Sequence, residues 1–565
     1  MVNKMILKNK IELIRDLPYE IWLILVFAAI IRLVRINNLF PSIDELIGLR
    51  RVFKMADGDL NPHWFGYPTG YYYFLLSLIP FRYLQGVFFN HWSHPRDLFH
   101  AYLFDPMSVS TYFRVAGVII SLIAIFITYL AARKLVERRW AWISPLFLAI
   151  SPFAVHWSTQ LWPEALIILP SSISLYFSLK YLETGQSKYI LLCGLGIGLA
   201  VSIKYNAVYL SAFVPCVAWL AYEKEKISNP WQVLKHITFA ALAALVGFIL
   251  ATPYSILDWQ TFLKTFANII SEYRELSHVG LDAGYQLLQS SPLLWWGQAL
   301  NQISPGFALI IMILLLILIF TWKSEYLLLI FPILVMFPFL TWFGKSEHYH
   351  LIPILPIFAC IIGVSLKTIS TRFERKKFII TILITSVIIL PGLIKTFQDL
   401  GKRSLPDTRI VSRNWIESNI SDGTKILLDK YYVPHLVRTE KQVDFLLENM
   451  VADVYFKSYQ KDMPRTTSYW IEHLPIAITS DEMEVTDNGE LAYPELLTPD
   501  EYAENGFEYV VLSEGTYSRF FVDEKYKEIR DYYQSFFSFG ETVYEIAGDN
   551  RPGPKISVLK LSTNK

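Results

Sequence analysis

Two adjacent carboxylates, Asp44 and Glu45, stand in a polar stretch between two apolar ones. The stretch reads Phe40-Pro41-Ser42-Ile43-Asp44-Glu45, then Gly58-Asp59-Leu60-Asn61-Pro62-His63-Trp64-Phe65-Gly66-Tyr67-Pro68. A carboxylate held against a hydroxyl is a general base. Neighbouring residues on a helix point about 100° apart, so these two acids do not form a symmetric pair. One can face a cavity while the other binds backbone or a cation. The same residues also make an ordinary helix start, with Ser42 as cap and two acids in the first turn. Glu164, in Gln160-Leu161-Trp162-Pro163-Glu164, carries the same ambiguity. Acids inside spans are costly and usually functional, yet Pro-Glu also opens a helix conventionally.

Positive charge lies at matching positions. Lys204 and Tyr205 follow the glycine-rich run Gly194 to Ile203, whose glycines permit close helix packing. A lysine there can hold a lipid phosphate as a point charge, or it can snorkel to the interface. Arg114 opens another apolar run, and His63, His156, His278, His348 and His350 fall at the same ends or in loops. None of the eleven histidines forms an HExxH-type set, so no metal centre is expected. Cys193, Cys216 and Cys360 all lie in apolar runs and read as small buried hydrophobes.

The elements that must hold these residues are membrane spans. The chain has 565 residues, 53% hydrophobic and 18% charged, where soluble domains carry about 25% charge. The apolar excess is confined to residues 1–396, and 397–565 have ordinary soluble composition. A net charge of +1 gives no attraction to nucleic acid. Crossing hydrocarbon takes about 20 mostly apolar residues. Eleven stretches are expected to do so: 19–36, 112–132, 140–157, 163–182, 187–203, 206–222, 236–255, 300–321, 326–343, 349–367 and 378–396. Lys4, Lys8, Lys10 and Arg15 precede the first with no cleavage site after it, so it reads as a retained span.

With the N-terminus in the cytoplasm, Arg133 to Arg139, Lys180 with Lys188, Lys224 to Lys235, Lys323 and Arg372 to Lys377 all face inward. Arg32 and Arg35 oppose that rule. The apolar run Tyr71 to Phe89 must then lie in the outer interface or re-enter, leaving loop 37–111 outside. An odd count also puts residues 397–565 outside, as an α/β domain. Its expected elements are a helix over Asp407 to Asn419, strands Lys425 to Asp429, Tyr509 to Ser513, Thr542 to Ile546 and Ile556 to Leu561, and a helix over Asp523 to Phe536.

At this point the residues resemble a family. The Asp44-Glu45 loop, Asn61-Pro62 with Tyr67-Pro68, Arg114, Ser151-Pro152, Gly194 to Tyr205, and Tyr349-His350-Leu351-Ile352-Pro353-Ile354-Leu355-Pro356 are similar to the GT-C superfamily. So are Ala251-Thr252-Pro253-Tyr254 with Leu257-Asp258, and Ser277-His278-Val279-Gly280. Dolichyl-phosphate-mannose–protein mannosyltransferases and lipid A aminoarabinose transferases are its nearest likenesses. The resemblance implies a membrane sugar transferase of a prokaryotic plasma membrane, using a polyprenyl-phosphate sugar and a protein, lipid or glycan acceptor. It implies Asp44 as base, with Glu45 and Glu164 in the catalytic set. Lys204, Arg114 and Tyr205 would meet the donor phosphate, and His63, Tyr67, His278, His348 and Tyr349 the substrates. No cofactor is required, though the resemblance leaves room for a divalent Mg or Mn ion. The rival classes are a transporter or flippase, which predicts internal repeats that the chain lacks, and a non-catalytic scaffold, which needs no gathered acids and bases.

Overall fold

The computed structural model describes residues 18–275, 290–342, 347–372, 377–449, 466–476, 496–522 and 524–561, together with 457, 460, 461, 463, 484, 485, 491 and 492. It is mostly helical, with a small sheet near the C-terminus. Among the described residues, seven helices are long and apolar enough to cross a membrane, or nine if each of two bent pairs counts as one span. The chain is an integral membrane protein.

The expected eleven is therefore not reached, although each of the eleven stretches contains helix. Stretch 140–157 divides into Ile143–Ile150 and Pro152–Ser158, because Pro152 cannot continue the preceding helix. Stretch 187–203 is only 17 residues long, about 26 Å at 1.5 Å per residue. Stretch 300–321 turns by 99° between Pro292–Ile303 and Phe307–Phe320. That turn passes through Gly306 at φ +76°, a backbone angle that suits glycine. The run Tyr71 to Phe89 forms the helix Thr69–Phe88, which is not among the helices that pass the spanning criteria.

Close packing follows from small residues. A Cβ on Gly194 would stand 2.2 Å from the Ala240 carbonyl oxygen, and one on Gly198 would stand 2.0 Å from that of Ala244. Ser187–Ile203 and Pro230–Ala251 therefore meet backbone to backbone. Arg32, anomalous by sequence, is wholly buried and donates to the carbonyls of Leu148 at 3.0 Å and Ala149 at 2.8 Å. It caps the carbonyl end of Ile143–Ile150 at the break before Pro152.

Among the described residues, the C-terminal sheet has five strands. They are β1 (Lys425–Leu428), β2 (Trp470–His473), β5 (Tyr509–Ser513), β6 (Glu541–Ile546) and β7 (Ile556–Lys560), in the order β2-β1-β5-β7-β6. A separate pair joins β3 (Glu484–Val485) and β4 (Leu491–Ala492). β1 runs parallel to β2 and β5, and β7 antiparallel to β5 and β6. Side chains alternate between two cores. Leu427, Val510 and Leu559 pack with Ile529, Tyr533 and Phe536, while Ile426, Val511 and Val558 pack with Ile416 and Ile420. The helix expected over 407–419 is Thr408–Asn419, capped by Asp407. The one expected over 523–536 is Lys527–Phe539.

This part docks on the polar stretch. The Asp407 amide donates to the Asn38 carbonyl at 3.1 Å, and the His435 ring bonds the Leu103 carbonyl at 2.7 Å. Arg409 lies over the Phe40 ring at 4.5 Å, and Val437 and Met463 join the apolar cluster of Ile43–Ala56, Thr69–Phe88 and Pro95–Phe104.

Candidate active site

The two adjacent acids have separated roles. The helix Ile43–Ala56 turns 85° from the segment Tyr19–Asn38, and both carboxylates lie in its first turn. Glu45 closes a capping box: its carboxylate accepts from the Ser42 amide at 2.7 Å, and the Ser42 hydroxyl accepts from the Glu45 amide at 3.3 Å. The same carboxylate accepts from the Leu161 amide. It also takes a bidentate pair from Arg114, Nε to Oε1 at 3.0 Å and Nη2 to Oε2 at 2.7 Å. The Arg114 guanidinium donates further to the carbonyls of Leu39 at 2.6 Å and Phe40 at 3.3 Å. Glu45 and Arg114 are both wholly buried. Spacing left Glu45 open between chemistry and a helix-start role with backbone or a cation, and the family resemblance implied a donor-phosphate role for Arg114. The structure gives them to each other, because a buried charge is tolerated only when paired and hydrogen-bonded. These bonds tie the first turn of the helix that carries Asp44 to the helix Pro106–Leu135 and to the Leu161 amide just before Pro163.

Asp44 is half-buried and, among the described residues, has no hydrogen-bond partner. It lies within electrostatic reach of Glu164 and Lys204. Burial pushes its carboxyl up to about 6, the Glu164 charge adds to that rise, and Lys204 opposes it. Lys204 Nζ donates to Glu164 Oε1, with the two side chains 9% and 1% exposed. Lys204 therefore does not snorkel; it is a buried cation held by a buried acid. Its ammonium also lies 4.1 Å from the centre of the Tyr349 ring and 5.9 Å from that of Tyr67. Five residues singled out by sequence, Asp44, Tyr67, Glu164, Lys204 and Tyr349, thus gather at one end of the bundle.

An aromatic wall completes the site. Trp157 meets Trp162, Tyr349 and His348 at ring separations of 5.2 to 6.2 Å. Trp162 Nε1 donates to the Ser42 hydroxyl at 2.7 Å, and Tyr71 donates to the Leu161 carbonyl at 2.7 Å. Sequence reasoning singled out none of Trp157, Trp162 and Tyr71. The available signal was Trp162-Pro163-Glu164, an aromatic placed directly before a span acid. Beside Lys204 opens a cavity of about 160 Å³ with a mixed lining. Tyr67, Asn206 and His350 are polar members beside Lys204, and Val208, Phe266, Ile269, Phe339 and Leu340 are apolar members. Tyr205 lines it too, but its hydroxyl is given to the Phe65 carbonyl at 2.9 Å. His63 sits apart from this cavity, exposed at φ +52° with its Nε2 2.6 Å from Asp59. His278 lies outside the described residues. Among those described, no group of three or more His, Cys, Asp or Glu side chains could hold a metal ion.

Residues 99–251 match the family model of the dolichyl-phosphate-mannose-protein mannosyltransferases. The whole chain is similar in fold to ArnT from Cupriavidus metallidurans. The apo structure aligns with a TM-score of 0.53 at 12% identity, covering 95% of this chain and 97% of that one. The structure bound to undecaprenyl phosphate aligns at 0.50 and 13%, covering 96% and 98%. No curated protein matches the sequence.

Proposed function

We propose that this chain, whose fold is that of the GT-C membrane glycosyltransferases, moves a sugar from a polyprenyl-phosphate donor to an acceptor hydroxyl on the extracytoplasmic face. The observation that carries the reading is the contrast between the two acids. Glu45 is saturated by Arg114 and amides, whereas Asp44, among the described residues, has no hydrogen-bond partner and lies beside the Glu164–Lys204 pair. Asp44 takes the acceptor proton, the acceptor oxygen attacks the anomeric carbon, and the bond from that carbon to the phosphate oxygen breaks with inversion. Polyprenyl phosphate leaves as an anion. Lys204 donates to it with the ammonium protons not given to Glu164, and the apolar side chains lining the adjoining cavity take the start of the lipid chain. Glu164 is a positioning residue that aims Lys204. If the ammonium hydrogen bonds of Lys204 suffice for the leaving group, transfer survives EDTA; loss of transfer on chelation would point to a metal.

The pH dependence follows from Asp44. As a base it must be ionised, so kcat/KM falls as pH drops below about 6. Glu164→Gln removes one of the charges that raise Asp44, so the acidic limb of the residual activity moves to lower pH. A limb that stays in place in this variant excludes Asp44 as the titrating group.

Lys204→Ala weakens donor binding by about 10- to 100-fold, the worth of a hydrogen bond to a charged group. Lys204→Arg keeps part of the affinity, since the charge remains but the compact ammonium does not. Lys204→Ala also strands the buried Glu164 carboxylate. The double variant Lys204→Ala/Glu164→Gln therefore regains stability but not affinity. The test is transfer rate against polyprenyl-phosphate-sugar concentration. Unchanged kinetics in Lys204→Ala would remove the phosphate role.

A further inference from the structure

A separate cavity of about 250 Å³ opens where the helix Lys377–Arg403 ends. That helix holds one of the seven stretches apolar enough to cross a membrane. Asp399, Lys402 and Arg403 line the cavity from the helix, His156 from Pro152–Ser158, Leu39 from the polar stretch and Pro552 from the sheet part. The residue after His156, Trp157, belongs to the aromatic wall of the reaction site, so the short helix borders both spaces. No residue lines both this cavity and the one beside Lys204. Arg403 is only 6% exposed. Its Nη1 is buried and, among the described residues, has no hydrogen-bond partner. Asp399 lies within electrostatic reach of it, but that carboxylate is bonded to Lys395 at 2.6 Å. Arg32 and Arg114 also act on Arg403 electrostatically and add positive charge. Both are committed elsewhere, Arg32 to carbonyls and Arg114 to Glu45. Lys402 is exposed and, among the described residues, forms no ion pair. A buried guanidinium without a partner is costly, so the partner that completes Arg403 is an anion from outside the chain.

We propose that this cavity binds a phosphate group, brought by an anionic phospholipid of the membrane. The inference does not depend on the transferase reading. A guanidinium fork matches phosphate oxygens in pairs, and a lysine adds a point charge. The position of the cavity favours a lipid over free phosphate. Ile394 and Phe397, on the same helix, are 55% and 52% exposed, and on a span such side chains face acyl chains. Phe397 is six residues before Arg403, about 9 Å along the axis. Acyl chains can therefore lie on the span while the headgroup reaches its end, where a basic residue attracts anionic lipid. The site also has a structural consequence. The Arg403 carbonyl accepts from Asn38 Nδ2 at 2.9 Å, and the Asn38 carbonyl accepts from the Asp407 amide at 3.1 Å. A phosphate on Arg403 thus secures the joint at which the sheet part leaves this span.

The experiment uses the full-length protein in detergent and follows its thermal shift with dioleoylphosphatidylglycerol, dioleoylglycerol and inorganic phosphate. The phospholipid stabilises. Dioleoylglycerol, with the same chains and no phosphate, does not, and inorganic phosphate does so far more weakly. Arg403→Gln weakens phosphatidylglycerol binding by about tenfold or more. It melts no lower than wild type in lipid-free detergent, because the guanidinium has no hydrogen-bond partner to lose among the described residues. Lys402→Gln weakens the binding by about fivefold, and its exposed position keeps the test valid if Arg403→Gln fails to fold. Lys204 also attracts lipid phosphate, so the titrations are repeated in Lys204→Ala/Glu164→Gln, where phosphatidylglycerol binding persists. Stabilisation by dioleoylglycerol equal to that by the phospholipid overturns the inference, as does inorganic phosphate that matches the phospholipid. Binding that is lost with Lys204 and ignores Arg403→Gln and Lys402→Gln overturns it too. So does an Arg403→Gln protein that melts lower yet binds the lipid as wild type does, since Arg403 would then be purely structural.

Discussion

Asp44→Asn leaves the protein folded and inserted and cuts sugar transfer by about 10²–10⁴-fold, the usual contribution of a general base. The amide is nearly isosteric with the carboxylate but cannot accept the acceptor proton at neutral pH. The structure explains why stability should be spared. Asp44 has no hydrogen-bond partner to lose among the described residues, and burial with a nearby Glu164 already disfavours its charge. Neutralising it relieves that cost. The variant should therefore keep the wild-type melting temperature and its affinity for the lipid donor, with the loss confined to kcat. Rate and donor binding measured on one purified preparation check this. A residual rate above about a tenth of wild type would remove Asp44 from the role of base, and a large fall in melting temperature would make it structural.

Much of this architecture was legible because hydrophobic runs report burial in lipid whatever the tertiary contacts. The apolar stretches contain helix, and the sheet-forming runs such as Tyr509 to Ser513 are strands. Span counting was less secure, since hydropathy does not register a break. Pro152, and Gly306 after Pro305, interrupt apolar runs without making them polar. β2, at Trp470–His473, was missed; it is only four residues long and carries Glu472 and His473. Arg32 contradicted the charge rule because, beside the Ala28 carbonyl of its own helix, it meets two carbonyls more than 110 residues away. The site shows the same limit. Asp44, Glu164 and Lys204 could be chosen one by one as costly charges at span ends. Their pairing could not, since Arg114 lies 69 residues from Glu45 and Lys204 lies 40 from Glu164. No periodicity encodes which acid a distant cation will meet.

That pairing makes the second large prediction. Arg114→Ala should cost about 3–5 kcal/mol, the penalty for breaking a buried ion pair and stranding its partner. Glu45 would keep the amides of Ser42 and Leu161 but lose both guanidinium bonds, while the carbonyls of Leu39 and Phe40 would lose their donors. Total stabilities are about 5–15 kcal/mol, so poor yield and a sharply lowered melting temperature are expected. Arg114→Lys should recover only part, because an ammonium cannot reproduce the bidentate fork and reach two carbonyls as well. Glu45→Gln/Arg114→Met should be more stable than Arg114→Ala, since no uncompensated charge is then left inside. Thermal unfolding of wild type, Glu45→Gln, Arg114→Met and the double variant in the same detergent gives the coupling. The opposite pattern is equally readable. If Arg114→Ala melts like wild type but binds the lipid donor far more weakly, the guanidinium serves the donor phosphate, as the family resemblance implied. The Glu45 contact would then be incidental. The physical argument runs against that outcome: a guanidinium already committed to one carboxylate and two carbonyls has little left to offer a phosphate, whereas Lys204 has ammonium protons to spare.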